Sequence, residues 1–163
     1  MKIDYLHLLK EVFYNDGLQN NVKLLNSVKD YEYLDHYEDK GFIFAEFNKS
    51  EKCCVDDNYL SSNYQLVNKY RSNNDAYIGL IVVGKKYQGL GIGKELVNRF
   101  ISECKKRNVK NIYLWTDLTC NKEFYDKLGF EIVLEYNNIY FEEFCNVSCN
   151  EEYNTLIYKL SLS

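Results

Sequence analysis

Apolar residues recur along the first half of the chain with spacings that predict two helices and one strand. Residues 4–16 and 21–37 place apolar side chains three and four positions apart, which is typical of amphipathic helices. Residues 41–48 are apolar on both faces and predict a strand, and residues 52–60 are expected to pair with it as a hairpin. Residues 61–75 are polar and predict no definite element.

The second half of the chain alternates short apolar runs with helical patterns. Residues 76–83, "AYIGLIVV", form a near-continuous apolar run, as in a strand that is covered on both faces. From residue 91 onward, apolar residues recur every four positions and predict a helix of about four turns that ends at "KKRN". The remaining predicted elements are a strand at 111–117, a short helix at 121–130, and closing strands at 130–136 and 153–162.

This order of elements predicts the fold class. Helices and strands alternate without a repeat or a linker, so we expect a single domain over residues 1–163. The expected fold is α/β (α+β), with one mixed central sheet and helices on both faces. Within the short helix, Asn121 can cap the first turn, and Gly129 can take the left-handed position that ends it.

The composition is that of a soluble globular protein. Of the 163 residues, 46% are hydrophobic and 27% are charged, which argues against a disordered chain. There is no apolar run of about 18 residues and no charged-then-apolar leader, so we expect a cytoplasmic protein that does not enter a membrane. Six cysteines without a Cys-x-x-Cys pair, beside two histidines, predict free thiols and no metal site.

Charge is distributed unevenly along the chain. Residues 85–127 carry ten Lys and Arg against five Asp and Glu, which would suit an anionic ligand. Residues 30–57 carry nine acids against three bases, and residues 131–152 carry six acids and no base, which would suit a cationic ligand. Solvated faces are the alternative explanation of such charge runs.

Three glycines stand at alternate positions where a predicted strand passes into a predicted helix, in "GKKYQGLGIGK". Backbone amides at the start of a helix can bind a phosphate group. The spacing of Gly89, Gly91 and Gly93 is not the Gly-x-Gly-x-x-Gly of a dinucleotide fold, and Glu95 stands where a P-loop needs Ser or Thr. A tight turn without any ligand is the alternative.

The turn resembles the acyl-CoA signature of the GCN5-related N-acetyltransferases (GNAT), which is Gln/Arg-x-x-Gly-x-Gly/Ala. It is present here as Gln88 to Gly93, "QGLGIG". A second block of the family, an Asn followed by Phe/Leu-Tyr-x-Lys-x-Gly-Phe, is matched by Asn121 and "FYDKLGF". The resemblance covers residues 76–136 well. The strand that precedes the first helix in the family is not evident in this sequence.

The resemblance implies where acetyl-CoA, the cosubstrate, would bind. Backbone amides of the glycine turn would hold its pyrophosphate, and the exposed edge of the strand 76–83 would pair with the pantetheine amides. Asn121 is either a helix cap only or a cap that also touches the cofactor. The residues implied in cofactor binding are Ile81, Val82, Val83, Gln88, Gly89, Leu90, Gly91, Ile92, Gly93, Lys94, Asn121 and Phe124.

The resemblance also implies two catalytic roles. Tyr125 would be the general acid that protonates the departing CoA thiolate, and its alternative is a core aromatic. The acceptor amine must lose a proton before it attacks, and Glu46 is the best candidate for a general base because a charge in so apolar a strand needs a reason. Alternatively, Glu46 faces solvent at the strand end. Asp75 and Asp117 are weaker candidates.

The function implied is transfer of an acetyl group from acetyl-CoA to a primary amine by direct attack in a ternary complex. The acceptor would be a small-molecule or peptide amine, expected to be cationic because of the acidic segments, and neither nucleic acid nor a membrane is expected as a partner. We expect a monomer or homodimer. The alternatives are a non-catalytic acyl-CoA-binding or regulatory module of the same fold, and an interaction protein without a cofactor.

Overall fold

The computed structural model describes residues 3–12, 18–49, 58–117, 122–136 and 155–162. A 3₁₀ turn at Lys85–Tyr87 follows the third strand. Within the described residues the helices and strands, in chain order, are α1 (Tyr5–Val12), α2 (Leu18–Val28), β1 (Tyr33–Tyr37), β2 (Gly41–Glu46), α3 (Asn58–Tyr70), β3 (Ala76–Val83), α4 (Ile92–Lys106), β4 (Asn111–Asp117), α5 (Lys122–Lys127), β5 (Glu131–Tyr136) and β6 (Thr155–Ser161).

The six strands form one mixed sheet in the order β1-β2-β3-β4-β6-β5. Neighbouring strands are antiparallel except for β3 and β4, which are parallel and pair only through Ala76 with Ile112 and Tyr77 with Tyr113. Beyond Tyr77 the two parallel strands separate. The sheet therefore has a wedge-shaped opening between β3 and β4 that widens toward the glycine turn.

A bulge in β3 lies at the start of this opening. The register between β2 and β3 passes from Phe44 opposite Leu80 to Ala45 opposite Ile78, so Gly79 is the extra residue. A Cβ atom on Gly79 would overlap Cε2 of Tyr31, and this close approach requires glycine. A bulge bends its strand and increases the local twist, and this bulge lies just beyond the last residue of β3 that pairs with β4.

Helices cover both faces of the sheet, as predicted. On one face α4 packs its buried residues Leu96, Val97 and Phe100 against β2, β3 and β4. On the other face α1 and α2 cover Phe42 and Phe44 of β2. A third cluster lies beneath α3 and contains Val67 with tyrosines of β3 and β4. The predicted class, a mixed α/β sheet with helices on both faces, is confirmed.

Two predictions for the first half of the chain are wrong. The helix predicted over 21–37 ends at Val28, and β1 follows as the hairpin partner of β2. In β1 the alternate residues Tyr33, Asp35 and Tyr37 are half-buried and those between them are exposed. The alternation of Tyr33, Asp35 and Tyr37 with exposed residues is a strand signal, which the helical spacing of the preceding residues obscured.

The prediction of a strand over 52–60 fails at its described end. Residues 50–57 lie outside the described residues, and 58–60 form the first turn of α3, which continues to Tyr70. Buried Asn63 follows buried Leu60 on the inner face of α3, ahead of buried Val67. A polar side chain on the buried face hides the helical period, which explains why the sequence predicted no element there.

The remaining elements agree with the sequence. Asn108, the last residue of "KKRN", has a positive φ of 59° after α4, and Gly129 has a φ of 92° after α5, as its predicted left-handed position requires. The backbone N–H of Phe130 donates to Tyr125 O at 3.1 Å, so the chain folds back onto the short helix. Within residues 3–12 no strand precedes α1. Among the described helices, none is long and apolar enough to cross a membrane.

Candidate active site

A cleft of about 670 Å³ occupies the wide end of the opening between β3 and β4. Its walls come from β3, the glycine turn, α4 and α5, with Val12 of α1 at one side. Of the residues predicted from the sequence, the cleft is lined by Ile81, Val83, Gln88, Gly89, Gly91, Ile92, Gly93, Lys94, Phe124 and Tyr125. Two segments about thirty residues apart in the chain therefore meet at one site.

The glycine turn brings backbone amides to the mouth of the cleft. Gly89 and Gly91 have φ angles of 83° and 84°, a left-handed conformation that glycine adopts readily. Gly91 directly precedes α4, and within the described residues no side chain caps this helix start. The first-turn amides of a helix have no partner within the helix, so the positive end of α4 faces the cleft with its donors available.

Gly93 has a different reason to be glycine. A Cβ atom there would lie 3.2 Å from Cε2 and Cζ of Phe124, so a side chain at this position would press on the phenyl ring. The missing side chain allows α5 to approach the first turn of α4. Phe124 and the glycine turn consequently form adjoining walls of the cleft.

The free edge of β3 supplies further donors and acceptors. The Gly84 N–H donates to Lys40 O at 2.7 Å, so the backbone groups of Gly84 point toward β2. In an antiparallel ladder this direction alternates from residue to residue. The groups of Val83 and Ile81 therefore point into the opening, while those of Val82 point toward β2. In agreement, the Gln88 side chain donates from Nε2 to Val83 O at 3.2 Å.

Two of the predicted cofactor residues, Val82 and Leu90, stand apart from the cleft wall. The Val82 side chain is buried in the core beneath α1 and α2, on the opposite face of the sheet. Leu90 is 71% exposed and does not contact the cleft. Asn121 lies outside the described residues. Alternation along β3 places Val82 away from the opening, a consequence that the apolar run alone did not reveal.

Tyr125 is half-buried in the wall opposite β3. Its ring centroid lies 5.1 Å from that of Phe124 and 5.3 Å from that of Tyr158. Burial, with a smaller contribution from the nearby Asp126 carboxylate, raises the pKa of Tyr158 to about 12. Tyr158 therefore keeps its proton at neutral pH, and its ring supports that of Tyr125.

Glu46 is buried, so the alternative prediction that it faces solvent at the strand end is wrong. It is 2% exposed, and its Oε1 accepts hydrogen bonds from the Tyr64 hydroxyl at 2.6 Å and from Arg71 Nη1 at 2.6 Å. Along β2 it lies on the α3 side of the sheet, whereas Tyr125 lies on the α4 side. Glu46 lines a separate cavity of about 320 Å³ and not the cleft.

The weaker carboxylate candidates receive no support as bases at the cleft. Both carboxylate oxygens of Asp75 accept hydrogen bonds, Oδ2 from the Ser72 N–H at 2.9 Å and Oδ1 from Asn111 Nδ2 at 3.0 Å. This arrangement closes the turn between α3 and β3. The side chain of Asp117 lies outside the described residues. Among the described residues there is no group of three or more potential metal ligands.

Sequence reasoning missed four residues of the cleft wall. Tyr87, Glu123 and Lys127 adjoin the two motifs in the chain, so proximity to those motifs was an available signal. Val12 had no such signal, because α1 reaches the glycine turn only through the packing of the helices on the sheet.

A sequence model described as the acetyltransferase (GNAT) family matches residues 18–130, which is well over half of the chain. The chain therefore belongs to the GNAT acetyltransferase family, and the family predicted from the two motifs is confirmed. An uncharacterized N-acetyltransferase of Methanocaldococcus jannaschii is 29% identical over 104 residues, which are 62% of this chain and 43% of that protein. The chain thus spans less than half the length of this relative.

Solved structures share the fold. A protein assigned as a streptothricin acetyltransferase from Bacillus anthracis, in complex with acetyl coenzyme A, is 25% identical, with a TM-score of 0.51 over 76% of this chain and 56% of that one. The ribosomal-protein-S18-alanine N-acetyltransferase from Escherichia coli is 15% identical, with a TM-score of 0.61 over 97% of this chain and 86% of that one. The second likeness supports the fold alone.

Proposed function

We propose that this chain is an N-acetyltransferase that moves an acetyl group from acetyl-CoA to a primary amine by direct attack in a ternary complex. The observation that carries the proposal is the cleft between β3 and β4, which combines a helix start, a free strand edge and a tyrosine. The family supports the same activity, and a relative of the fold was solved with acetyl coenzyme A.

The cleft fits the two halves of the cosubstrate. Amides of residues 88–94 would hold the pyrophosphate, because the positive end of α4 and the ammonium group of Lys94 favour anions there. The pantetheine arm would extend into the opening and exchange hydrogen bonds with Ile81 and Val83. In this arrangement it takes the place of a strand beside β3, and the Gln88 side chain must leave Val83 O.

Tyr125 would act at the sulfur end of the reaction. As the amine forms its bond to the acetyl carbon, the C–S bond breaks and the thiolate needs a proton. A phenol with an ordinary pKa near 10 can assist a thiolate with an ordinary pKa near 8.5 only when it is held in position. The contacts of the Tyr125 ring with Phe124 and Tyr158 supply that restraint.

Glu46 would act at the amine end, from the separate cavity that it lines on the other face of the sheet. The attacking nitrogen joins the same carbon that the sulfur leaves, so Glu46 could reach it only through water. Glu46 lies directly opposite Tyr77, the last β3 residue that pairs with β4, so it is one strand away from the narrow end of the opening. The ion pair of Glu46 with Arg71 is the alternative, structural role of this carboxylate. Proton transfer from the amine to Glu46 would run through water.

The acceptor is proposed to be cationic. Asp30, Glu32 and Glu46 line the cavity on the Glu46 side, against Lys49 as the one cation among its lining residues. Carboxylates attract an alkylammonium and raise its local concentration at the surface. The identity of the amine is open to a screen of polyamines, aminoglycosides and Lys-rich peptides with thiol release as the readout.

Thermal unfolding with and without acetyl-CoA tests the proposal first. A ligand at about 100 times its Kd adds about 2.7 kcal/mol, which corresponds to a rise of about 5 °C or more in Tm for a domain of this size. An unchanged Tm at millimolar acetyl-CoA would refute both the enzyme and the non-catalytic CoA-binding module.

Turnover of an amine separates the enzyme from the non-catalytic module, and the exchange of Tyr125 for Phe tests the proton donor. We expect Tyr125→Phe to lower kcat by about 10-fold to 100-fold with KM for acetyl-CoA within about threefold of wild type, because only the proton donor is lost. Tyr70→Phe is the matched control, since Tyr70 is exposed at the end of α3. Equal turnover of both variants on every amine that is acetylated would remove Tyr125 from the mechanism.

A further inference from the structure

The last turn of α1 holds the backbone where the chain leaves β3 for the glycine turn. Glu11 Oε2 accepts a hydrogen bond from the Lys85 backbone N–H at 3.1 Å, although the two residues are 74 positions apart. The other oxygen of Glu11, Oε1, lies 3.0 Å from Nε2 of His7 one turn earlier in α1. The Glu11 side chain is about three-quarters buried, at 25% exposure.

This contact supplies a cap that the 3₁₀ turn lacks. Lys85 is the first residue of the turn, and the preceding Gly84 provides no side-chain cap. The amides of Gly84 and Tyr87 have backbone partners, since Gly84 N–H donates to Lys40 O and Tyr87 N–H donates to Gly84 O. The Lys85 amide is thus satisfied from another element, by a charged acceptor of the kind that forms strong hydrogen bonds.

Gly84 allows α1 to come this close. A Cβ atom on Gly84 would stand 2.9 Å from Leu8 Cδ2 and 3.4 Å from Glu11 Oε2. The next residue of α1, Val12, lines the cleft together with Tyr87 and Gln88. The end of α1 is therefore fastened at the first residue of the turn and also forms part of the wall that follows.

We propose that Glu11 is a positioning residue for the acetyl-CoA site, which α1 uses to set the course of the chain into the glycine turn. This inference rests on the proposed function of the cleft. With the Lys85 amide held, residues 85–87 keep the 3₁₀ conformation that delivers Gln88 to Val83 O and directs the amides of Gly91 to Lys94 at the phosphates. A turn that is already ordered loses less conformational freedom when its ligand binds.

The hydrogen bond, rather than the charge, is the part of Glu11 that matters for this role. The charge of the Glu11 carboxylate beside Lys85 would not favour an anion in the turn that follows, so a neutral acceptor of the same shape should serve at least as well. A glutamine retains the acceptor oxygen, an aspartate retains the charge but is one methylene too short, and an alanine lacks both.

The experiment measures Kd for acetyl-CoA by calorimetry on the full chain, for wild type, Glu11→Gln, Glu11→Asp and Glu11→Ala. We expect Kd to rise by about five- to tenfold in the aspartate and alanine variants, as is usual when one ordinary hydrogen bond is lost, and to stay within about twofold in the glutamine variant. Glu131→Ala, which removes an exposed carboxylate from β5, is the matched control and should bind as wild type does.

Steady-state kinetics distinguish positioning from general destabilisation. KM for acetyl-CoA should rise in Glu11→Asp and Glu11→Ala, while KM for the amine stays unchanged and Glu11→Gln restores the wild-type value. If the wild type binds acetyl-CoA and every Glu11 variant has the same Kd, this inference is overturned and the proposed function stands. A loss in Glu11→Gln as large as in Glu11→Ala would also overturn it. A wild-type chain without affinity for acetyl-CoA would overturn both.

Discussion

At the scale of single residues, the glycines of the turn serve two separate requirements. Gly89 and Gly91 are needed for their positive φ angles, and added Cβ atoms there would meet nothing within 4 Å in the described residues. Gly93 adopts no such angle and is needed for space beside Phe124. The same residue type is therefore required for backbone conformation at two positions and for packing at the third.

Alanine at Gly91 should cost stability and acetyl-CoA affinity together. A left-handed conformation costs an alanine about 1–2 kcal/mol, so we expect Gly91→Ala to lower the free energy of unfolding in urea by about 1 kcal/mol. Gly89→Ala has nearly the same φ and equal room, so it should lose the same stability and serve as the control. Only Gly91 directly precedes the free amides of α4, so Gly91→Ala should bind acetyl-CoA more weakly than Gly89→Ala. Wild-type stability in both variants would contradict the backbone argument.

At the scale of elements, α3 is joined to the sheet by a buried ion pair. Arg71 at the end of α3 is fully buried, and it donates from Nη1 to Glu46 of β2 and from Nε to Asp75 O at 2.8 Å. Tyr64 of α3 donates to the same carboxylate at 2.6 Å. A buried charge needs such partners, so α3 and the end of β2 hold each other in register.

Removal of Arg71 should be far more damaging than removal of a surface arginine. We expect Arg71→Met to lower the free energy of unfolding by about 3–5 kcal/mol, because it leaves Glu46 as a buried charge without its cation. Arg99→Met, which breaks exposed pairs with Glu95 and Asp35, should cost less than about 1 kcal/mol. Urea unfolding at pH 7 measures both. Similar losses in the two variants would mean that the Glu46 pair does not hold α3.

At the scale of the whole molecule, burial leaves several weak acids protonated in the folded state. Burial raises the pKa of Cys104, in the last turn of α4, to about 12. Burial, assisted by the charge of Asp35, raises the pKa of Tyr33 to about 12 as well. In the unfolded chain these groups return to ordinary values, about 8.5 for a thiol and about 10 for a phenol. The folded state therefore binds more protons than the unfolded state in alkaline solution.

Stability should consequently fall as the pH rises above about 8.5. The contribution of Cys104 is fully present below the unfolded pKa and is lost as the pH approaches about 12, with a slope of up to about 1.4 kcal/mol per pH unit. We expect urea midpoints to decrease between pH 8.5 and about 10.5, and Cys104→Ala to show a shallower decrease over that range. Measurements at pH 7 and pH 8 are the control and should agree. Identical slopes for wild type and variant would show that the thiol ionises freely in the folded protein.

Much of the cleft was predictable because its features are local in the chain. The φ requirement of the glycines, the four-residue period of α4 and the left-handed end of α5 at Gly129 each depend on neighbouring residues. The two motifs then placed most of the cleft wall, including Ile81, Val83 and Tyr125. Local conformation and periodicity act over a few residues, so a sequence states them directly.

The partners of Glu46 and the role of Glu11 were decided by the tertiary structure. Arg71 reaches Glu46 across 25 positions, and Lys85 reaches Glu11 across 74. The buried polar residue Asn63 obscured the helical period of α3 in the sequence. Only the pairing of β3 with β2 shows that Val82 points away from the opening. The sequence by itself determined the family, the elements around the glycine turn and the residues that line it. The separation of β3 from β4 and the pairs between distant elements depend on long-range packing, which no local pattern encodes.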